Sequence, residues 1–411
     1  MRILVQKFGG TSVATRSSMQ NVLTNVLRAT QQGYKVIAVL SAISGETNRL
    51  LALAHEYSEN PLLSEIDVLL STGEQVAVAL FSILGHDAGL KIRSMNASQI
   101  PMYTSPDHSS ARIERIATDT IYSAFSTYDV LVITGFQGIT QDGRITTLGR
   151  GGSDTTAVAL AASLNSAPCE IYTDVEGVYT TDPNICSKAK KLDVISYDEM
   201  LEMASMGAKV LQIRSVLFAK RYNVPLYVRS TFSNSEGTFL IHEEDIMESQ
   251  PVSGIAYDKN QAMISINNAS LDSLVILFKS IAERKILVDM IVQSISSQKL
   301  NITFSISQNN LKETLTLVEG IAGELGNPEI SYEESLSKIS IVGYGMRDHT
   351  DIATSMFETL ASEGIPILLI NTSEIKISCL IHDKYTELAV RSLHEVFFSE
   401  EKHSQENKSD T

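Results

Sequence analysis

The chain has 411 residues, 43% hydrophobic and 20% charged, the composition of an ordinary globular protein with room for two or three domains. Acidic side chains outnumber basic ones, 48 to 33, for a formal net charge of −15, which disfavours nucleic acid or an anionic membrane surface as the main partner. Cys169, Cys186 and Cys379 have no paired spacing, so neither a disulfide framework nor a zinc site is expected, and the eight histidines form no ligand pattern either. No apolar run approaches bilayer length and the start of the chain does not read as a secretory leader, so the expectation is a soluble protein of a reducing cytoplasm.

In chain order, "RILVQKF", "KVIAVLSA", "DVLVITGF", "CEIYTD" and "VPLYVRS" are continuous apolar runs of the kind that form strands covered on both faces. Amphipathic stretches separate them. Val22, Leu23, Val26 and Leu27 recur at helical spacing ahead of Gly33, and Ile113, Ile116, Ile121 and Phe125 predict a second helix over 109–127. The alternation predicts a mainly parallel sheet in an αβα sandwich over residues 1–245. "HEEDIMESQPVSG" then reads as an acidic linker. Beyond it, "LFKSIAERKILVDMIVQS" and "MFETLASEGIPILLINTS" are diverged copies, with Phe278 and Phe357, Ala282 and Ala361, Ile286 and Ile365, and Ser294 and Ser373 at one constant offset. Each copy reads strand, helix, strand, strand, helix, a ferredoxin-like α+β unit. The first copy, 263–335, closes with "EISYEE"; the second, 336–398, has no closing strand before the polar tail 399–411. The expectation is that "SGIAYD", residues 253–258 within the connecting stretch 246–262, fills that place.

Two glycine loops carry the chemistry. In "VQKFGGTSVA", Lys7 offers a point charge, and Gly9 and Gly10 allow backbone N–H groups to approach phosphate oxygens; a tight strand-to-helix turn is the plainer reading. In "TLGRGGSDTTAVALAASL", Arg150 to Asp154 precede a helix whose first turn presents free N–H groups to an anion, and Asp154 suits the N-cap. Neither loop is a Walker sequence or a complete dinucleotide fingerprint. Glu74 in "STGEQVAVALFSIL" is expected to start a helix, where a carboxylate favours the dipole. "TDVEGVYTTDP" gathers Thr173, Asp174, Tyr179 and Asp182 around Gly177 as a turn.

The ordered set "KFGGTS", "STGE", "GFQG", "GRGGSD", "TDVEGVYTTDP", "MASMGAKVL" and "INTSEIKIS" resembles the aspartate kinases over nearly the whole chain, in the short dimer-type form of Gram-positive bacteria. The resemblance implies an amino-acid-kinase domain followed by two ACT domains, and transfer of the γ-phosphoryl of ATP, with Mg²⁺ held mainly by its phosphates, to the side chain of L-aspartate. That step opens lysine, threonine, methionine and diaminopimelate biosynthesis. By the same resemblance Lys7, Gly9, Gly10, Ser12, Thr173, Asp174, Tyr179, Asp182 and Lys209 serve ATP; Ser41, Thr47, Glu74, Arg150, Gly152 and Ser153 bind aspartate; Lys7 and Asp154 are catalytic. Asn268, Asp289, Met290, Gln293, Asn371 and Thr372 are candidates for an amino-acid effector, for which the resemblance allows lysine, threonine, diaminopimelate or a combination. It also implies a homodimer, or an α2β2 assembly whose smaller subunit starts at Met247. A glutamate or N-acetylglutamate kinase and a non-catalytic amino-acid sensor are the competing readings.

Overall fold

The computed structural model describes residues 1–206, 210–245, 251–296 and 298–399, which pack as two units. In the first unit the order is β1 (Ile3–Phe8), α1 (Arg16–Gln31), β2 (Lys35–Leu40), α2 (Glu46–Tyr57), α3 (Leu63–Asp87), β3 (Ile92–Met95), β4 (Met102–Thr104), β5 (Ile113–Ile116), α4 (Thr118–Phe125), β6 (Val130–Thr134), β7 (Gln137–Ile139) and β8 (Ile145–Thr147). It continues with α5 (Gly152–Ser163), β9 (Cys169–Thr173), β10 (Val194–Ser196), α6 (Tyr197–Ser205), α7 (Ile213–Arg221), β11 (Leu226–Ser230) and β12 (Thr238–Ile241). Eight of these strands form one sheet in the order β10-β12-β11-β9-β1-β2-β6-β3, parallel except between β11 and β12.

Side-chain alternation along β1 decides what each face receives. Leu4 and Phe8 join Val22, Val26, Val36, Ala38, Phe81 and Val132 in one buried cluster beneath α1 and α3. Lys7 points the other way, toward α5, where it meets Asp154. Because α5 is buried around most of its circumference, its sequence is apolar without amphipathic periodicity. β2 follows β1 on one side and β9 lies on the other, so the strand order reverses between β1 and β9; ligands of open α/β sheets bind outside the carboxyl ends at such a reversal.

Three sequence expectations change here. The helix expected over 109–127 is strand β5 followed by a helix of only Thr118–Phe125. β5 bulges against β4, since Tyr103 pairs with Arg115 and Thr104 with Ile113, so Ile113 and Ile116 are spaced as on a helix while lying in a strand. Glu74 sits in the middle of α3, whose start is Leu63. The Ser-Thr-Gly stretch before it does not break the helix, because Ser71 and Thr72 donate their hydroxyls back to the carbonyls of Val68 and Leu69. Among the described residues α3 is also the one helix long and apolar enough to cross a bilayer, yet its inward face buries Asp67, Ser71 and Glu74 within the first unit.

The second unit comprises β13 (Gly254–Ala269), α8 (Ser273–Glu283), β14 (Val288–Ser296), β15 (Lys299–Ser307), α9 (Leu311–Gly320), β16 (Glu329–Val342), α10 (Thr350–Ser362), β17 (Leu369–Thr372), β18 (Lys376–His382) and α11 (Thr386–Phe398). They form one sheet in the order β14-β15-β13-β16-β18-β17. The long strands β13 and β16 are each used twice. Residues 261–267 of β13 pair with 329–336 of β16 and with β15, while 254–258 pair with 338–342 of β16. The second repeat thus acquires a fourth strand from a segment that precedes the first repeat. Two clusters fill the helix-covered face: Ile264, Ile302, Phe304 and Leu277 under α8 and α9, and Ile255, Ile339, Met356 and Leu393 under α10 and α11.

Residues 179–190 also pack in this unit, although the sequence places them among kinase-domain motifs. The Thr180 carbonyl accepts from the Ile255 amide at 2.7 Å, Thr180 Oγ1 shares a 2.9 Å hydrogen bond with His394 Nε2, and the Tyr257 hydroxyl donates to Asp182 Oδ2 at 2.9 Å. Three-dimensional packing therefore divides the chain differently from a single cut at 245.

Candidate active site

A cleft of about 380 Å³ opens at the carboxyl ends of β1 and β9. Its lining includes Lys7, Gly9, Ser41, Thr47, Glu74, Arg150, Gly152, Ser153, Asp154 and Thr173, drawn from positions spread over 166 residues of sequence. Lys7 Nζ and Asp154 Oδ1 are 2.6 Å apart with side chains only 12% and 10% exposed, so the ion pair is largely withdrawn from water. Asp154 lies in the first turn of α5, whose N-cap is Gly151 with no side-chain cap. The N-cap reading of Asp154 is therefore replaced by the pairing with Lys7.

Glu74 reaches the cleft from the middle of α3. Its Oε1 accepts from the Ala42 amide at 3.0 Å, and its Oε2 is buried with no hydrogen-bond partner. Burial raises its pKa to about 7, against the smaller opposing effect of the Ala42 amide. A buried carboxylate oxygen facing an open cleft is a site prepared for a cation.

Gly10 does not line the cleft. A Cβ there would stand 2.9 Å from the Ala42 carbonyl oxygen, so its lack of a side chain lets the 9–12 loop lie against the 41–44 loop. Ser12 faces inward and is fully buried against Thr231 Oγ1 at 2.7 Å, which corrects the expectation that it meets a phosphate. Asp174 accepts from Thr173 Oγ1 at 3.0 Å and is outside the cleft lining. Tyr179 and Asp182 belong to the second unit, and Lys209 lies outside the described residues.

The cleft also includes Thr11, Ala42, Phe136, Tyr172 and Gln212, which the motif reading did not assign. Phe136 had a signal within "GFQG": it adopts a positive φ of 70°, held by donation of its amide to Thr156 Oγ1 at 3.1 Å. Gln212 had none, since its place depends on how α7 packs beside α5.

The effector candidates occupy the second unit. Met290 is buried in a cluster with Leu336, Leu369 and Leu380, whereas Gln293, Asn371 and Thr372 are exposed on β14 and β17. Asp289 is exposed on β14 and pairs with the buried Lys338. Asn268 has a positive φ of 63° and donates its amide to Asn301 Oδ1.

The amino acid kinase family model matches residues 2–230 and an ACT domain model matches 339–397. The protein is thus an amino acid kinase that carries an ACT regulatory region. An aspartate kinase of Stutzerimonas stutzeri is 46% identical over 402 residues, covering 97% of both chains, and the aspartokinase of Geobacillus stearothermophilus is 44% identical over 400 residues, again covering 97% of each. Among solved structures, E. coli aspartokinase III in complex with aspartate and ADP matches with a TM-score of 0.81 at 26% identity, over 97% of this chain and 100% of that one. The lysine and aspartate complex of the same enzyme, described as the T-state, matches at 0.74. The chain belongs to the aspartate kinases, enzymes that phosphorylate aspartate with ATP.

Proposed function

We propose that the cleft holds aspartate between Glu74, Arg150, Ser41, Thr47 and Ser153, with the ATP phosphates at Lys7 and Gly9 and the nucleotide beside Thr173. Glu74 Oε2, buried and unpartnered, takes the substrate ammonium, and this is the observation that carries the reading. Arg150 receives the α-carboxylate, for which its planar fork is suited. The β-carboxylate then faces the γ-phosphorus. With a reference pKa of about 3.9 it is already a nucleophile, so no general base is required. Its oxygen forms the new P–O bond as the bond from phosphorus to the bridging oxygen breaks and ADP leaves. Catalysis is chiefly positioning and charge neutralisation. Lys7 approaches the transferring oxygens, and Asp154 holds the ammonium in place.

Among the described residues that line the cleft, the one carboxylate besides Glu74 is Asp154, already committed to Lys7, so the donor set suits Mg²⁺ carried on the nucleotide phosphates rather than a protein-held ion. When bound, the ion supplies neutralisation of phosphate charge. We further propose residues 1–245 as the catalytic domain, 263–335 and 336–398 as ACT units joined through 246–262, and residues 399–411 as a tail. An amino-acid effector, lysine, threonine or diaminopimelate, binds the second unit and acts through different affinities for two states of it. A cytoplasmic homodimer, or an α2β2 assembly starting its smaller subunit at Met247, completes the proposal; Met247 lies outside the described residues.

Hydroxylamine trapping of the acyl phosphate tests the reaction. Aspartyl hydroxamate is expected with ATP and aspartate and not with glutamate. Amino-acid binding without any hydroxamate would favour a sensor. Repeating the assay with the three effectors, singly and together, identifies the regulator.

A further inference from the structure

Asp67 is a fully buried carboxylate on α3, two helical turns before Glu74, and it does not line the cleft. It gathers donors from two other segments. His108 Nδ1 lies 2.7 Å from Oδ2, the Ser109 amide donates at 3.1 Å, Ser109 Oγ at 3.2 Å, and Thr147 Oγ1 donates to Oδ1 at 2.5 Å. Those contacts hold Ser109 at a positive φ of 64°, and its carbonyl oxygen then sits under Gly149, where a Cβ would come within 3.0 Å of it. The same two segments are joined once more, because Arg214 on α7 donates to the carbonyls of Leu148 at 2.9 Å and Ala111 at 2.9 Å. Thr147 and Leu148 lead directly into Gly149, Arg150 and Gly151.

We infer that Asp67, acting through the 108–111 turn and Thr147, is a positioning residue that fixes the loop carrying Arg150 and so sets discrimination for the α-carboxylate of the substrate. A buried carboxylate that accepts several hydrogen bonds is a strong local tie, and a long arginine on a glycine-flanked loop needs one to keep its fork aimed. Without Asp67, the loop keeps Arg150 but loses its register against α3, where Glu74 holds the other end of the substrate. This inference rests on the assignment of Arg150 to the α-carboxylate.

The test is a double-mutant cycle read in steady-state kinetics on the full chain. Asp67→Asn, close in shape, loses the charge and puts an NH2 donor where Oδ2 faces His108 and the Ser109 amide, and is expected to raise KM for aspartate about tenfold while leaving KM for ATP within about twofold. Arg150→Ala raises KM for aspartate on its own, and adding Asp67→Asn to it changes KM by less than about twofold. Thr147→Val, which removes a single donor, moves KM for aspartate in the same direction by a few-fold and serves if Asp67→Asn does not fold. If Arg150→Ala leaves KM for aspartate unchanged, the site assignment fails. Multiplying effects of Asp67→Asn and Arg150→Ala, or equal rises in both KM values, would show that Asp67 is merely structural and overturn the inference.

Discussion

Replacing Glu74 by glutamine should weaken substrate binding and stabilise the ligand-free protein at once. Burial lifts this carboxyl from 4.5 to about 7. In the ligand-free enzyme the protonated form is therefore favoured by folding: the stabilisation is complete below the unfolded pKa of about 4.5 and is lost as pH rises through 7. At pH 8 the ionised group costs on the order of 3 kcal/mol relative to its protonated form, taking about 1.36 kcal/mol per pKa unit. Glutamine removes that cost, so unfolding of ligand-free Glu74→Gln by denaturant should require more denaturant than wild type at pH 8, with the difference vanishing near pH 4.5. Binding behaves oppositely. A charge-assisted hydrogen bond contributes about 1.5–3 kcal/mol, so KM for aspartate at pH 8 should rise roughly 10- to 150-fold. In the wild type only the ionised form pairs with the substrate ammonium, so KM for aspartate should rise about tenfold between pH 8 and pH 6 while KM for ATP changes little. The variant should lack that slope. A wild-type KM for aspartate that stays flat from pH 6 to 8, or a variant that retains the slope, would refute the pairing of Glu74 with the substrate ammonium.

Lys7→Met should fold and bind aspartate but lose roughly 10²–10³-fold in kcat, measured by hydroxamate formation, because the lost charge acts on the transferring phosphoryl group. His394 is held below its usual pKa chiefly by burial, so its contribution to stability is present above about pH 6.5 and lost as pH falls through the lower folded value. Hydrogen-exchange protection factors, corrected for the intrinsic rate at each pH, should accordingly fall at residues 179–190 as pH drops below about 6.5, and less so in His394→Gln. Ala256→Pro, which removes a backbone donor where β13 pairs with Ser340, should destabilise the second unit by about 3 kcal/mol or more in a denaturant titration. Leu160→Ala, at a fully buried position of α5, should cost about 2–5 kcal/mol of global stability.

Much of the site was readable from local pattern, because each piece is a local event. Lys7 ends an apolar strand before two glycines, and Arg150 to Asp154 enter a helix, so strand alternation and helix-terminus chemistry already mark them as facing a ligand. The internal repeat, the missing closing strand and its candidate "SGIAYD" were equally visible, since hydrophobic period and repeat offset are one-dimensional properties. Where the reading went astray, a tertiary partner had overridden the local signal. Helical spacing at Ile113 and Ile116 yielded to a bulged strand pair, and Glu74 was moved from a helix start to a helix interior by residues 63–70, which carry no capping signal at their beginning. Ser12 looked like a phosphate ligand and turned inward to Thr231, 219 residues away in sequence.

The amino-acid order by itself determined the five apolar strands of the parallel sheet, the family to which they belong and the two glycine loops, since propensity, period and turn chemistry act between near neighbours. Only the folded chain decided that Lys7 meets Asp154, that Glu74 keeps an unpartnered oxygen, that Asp67 ties the Arg150 loop, and that residues 179–190 pack with the second unit. Each of these is a long-range contact. Its energy depends on burial and on exclusion of water, which the packed sheet supplies and no short stretch of sequence encodes.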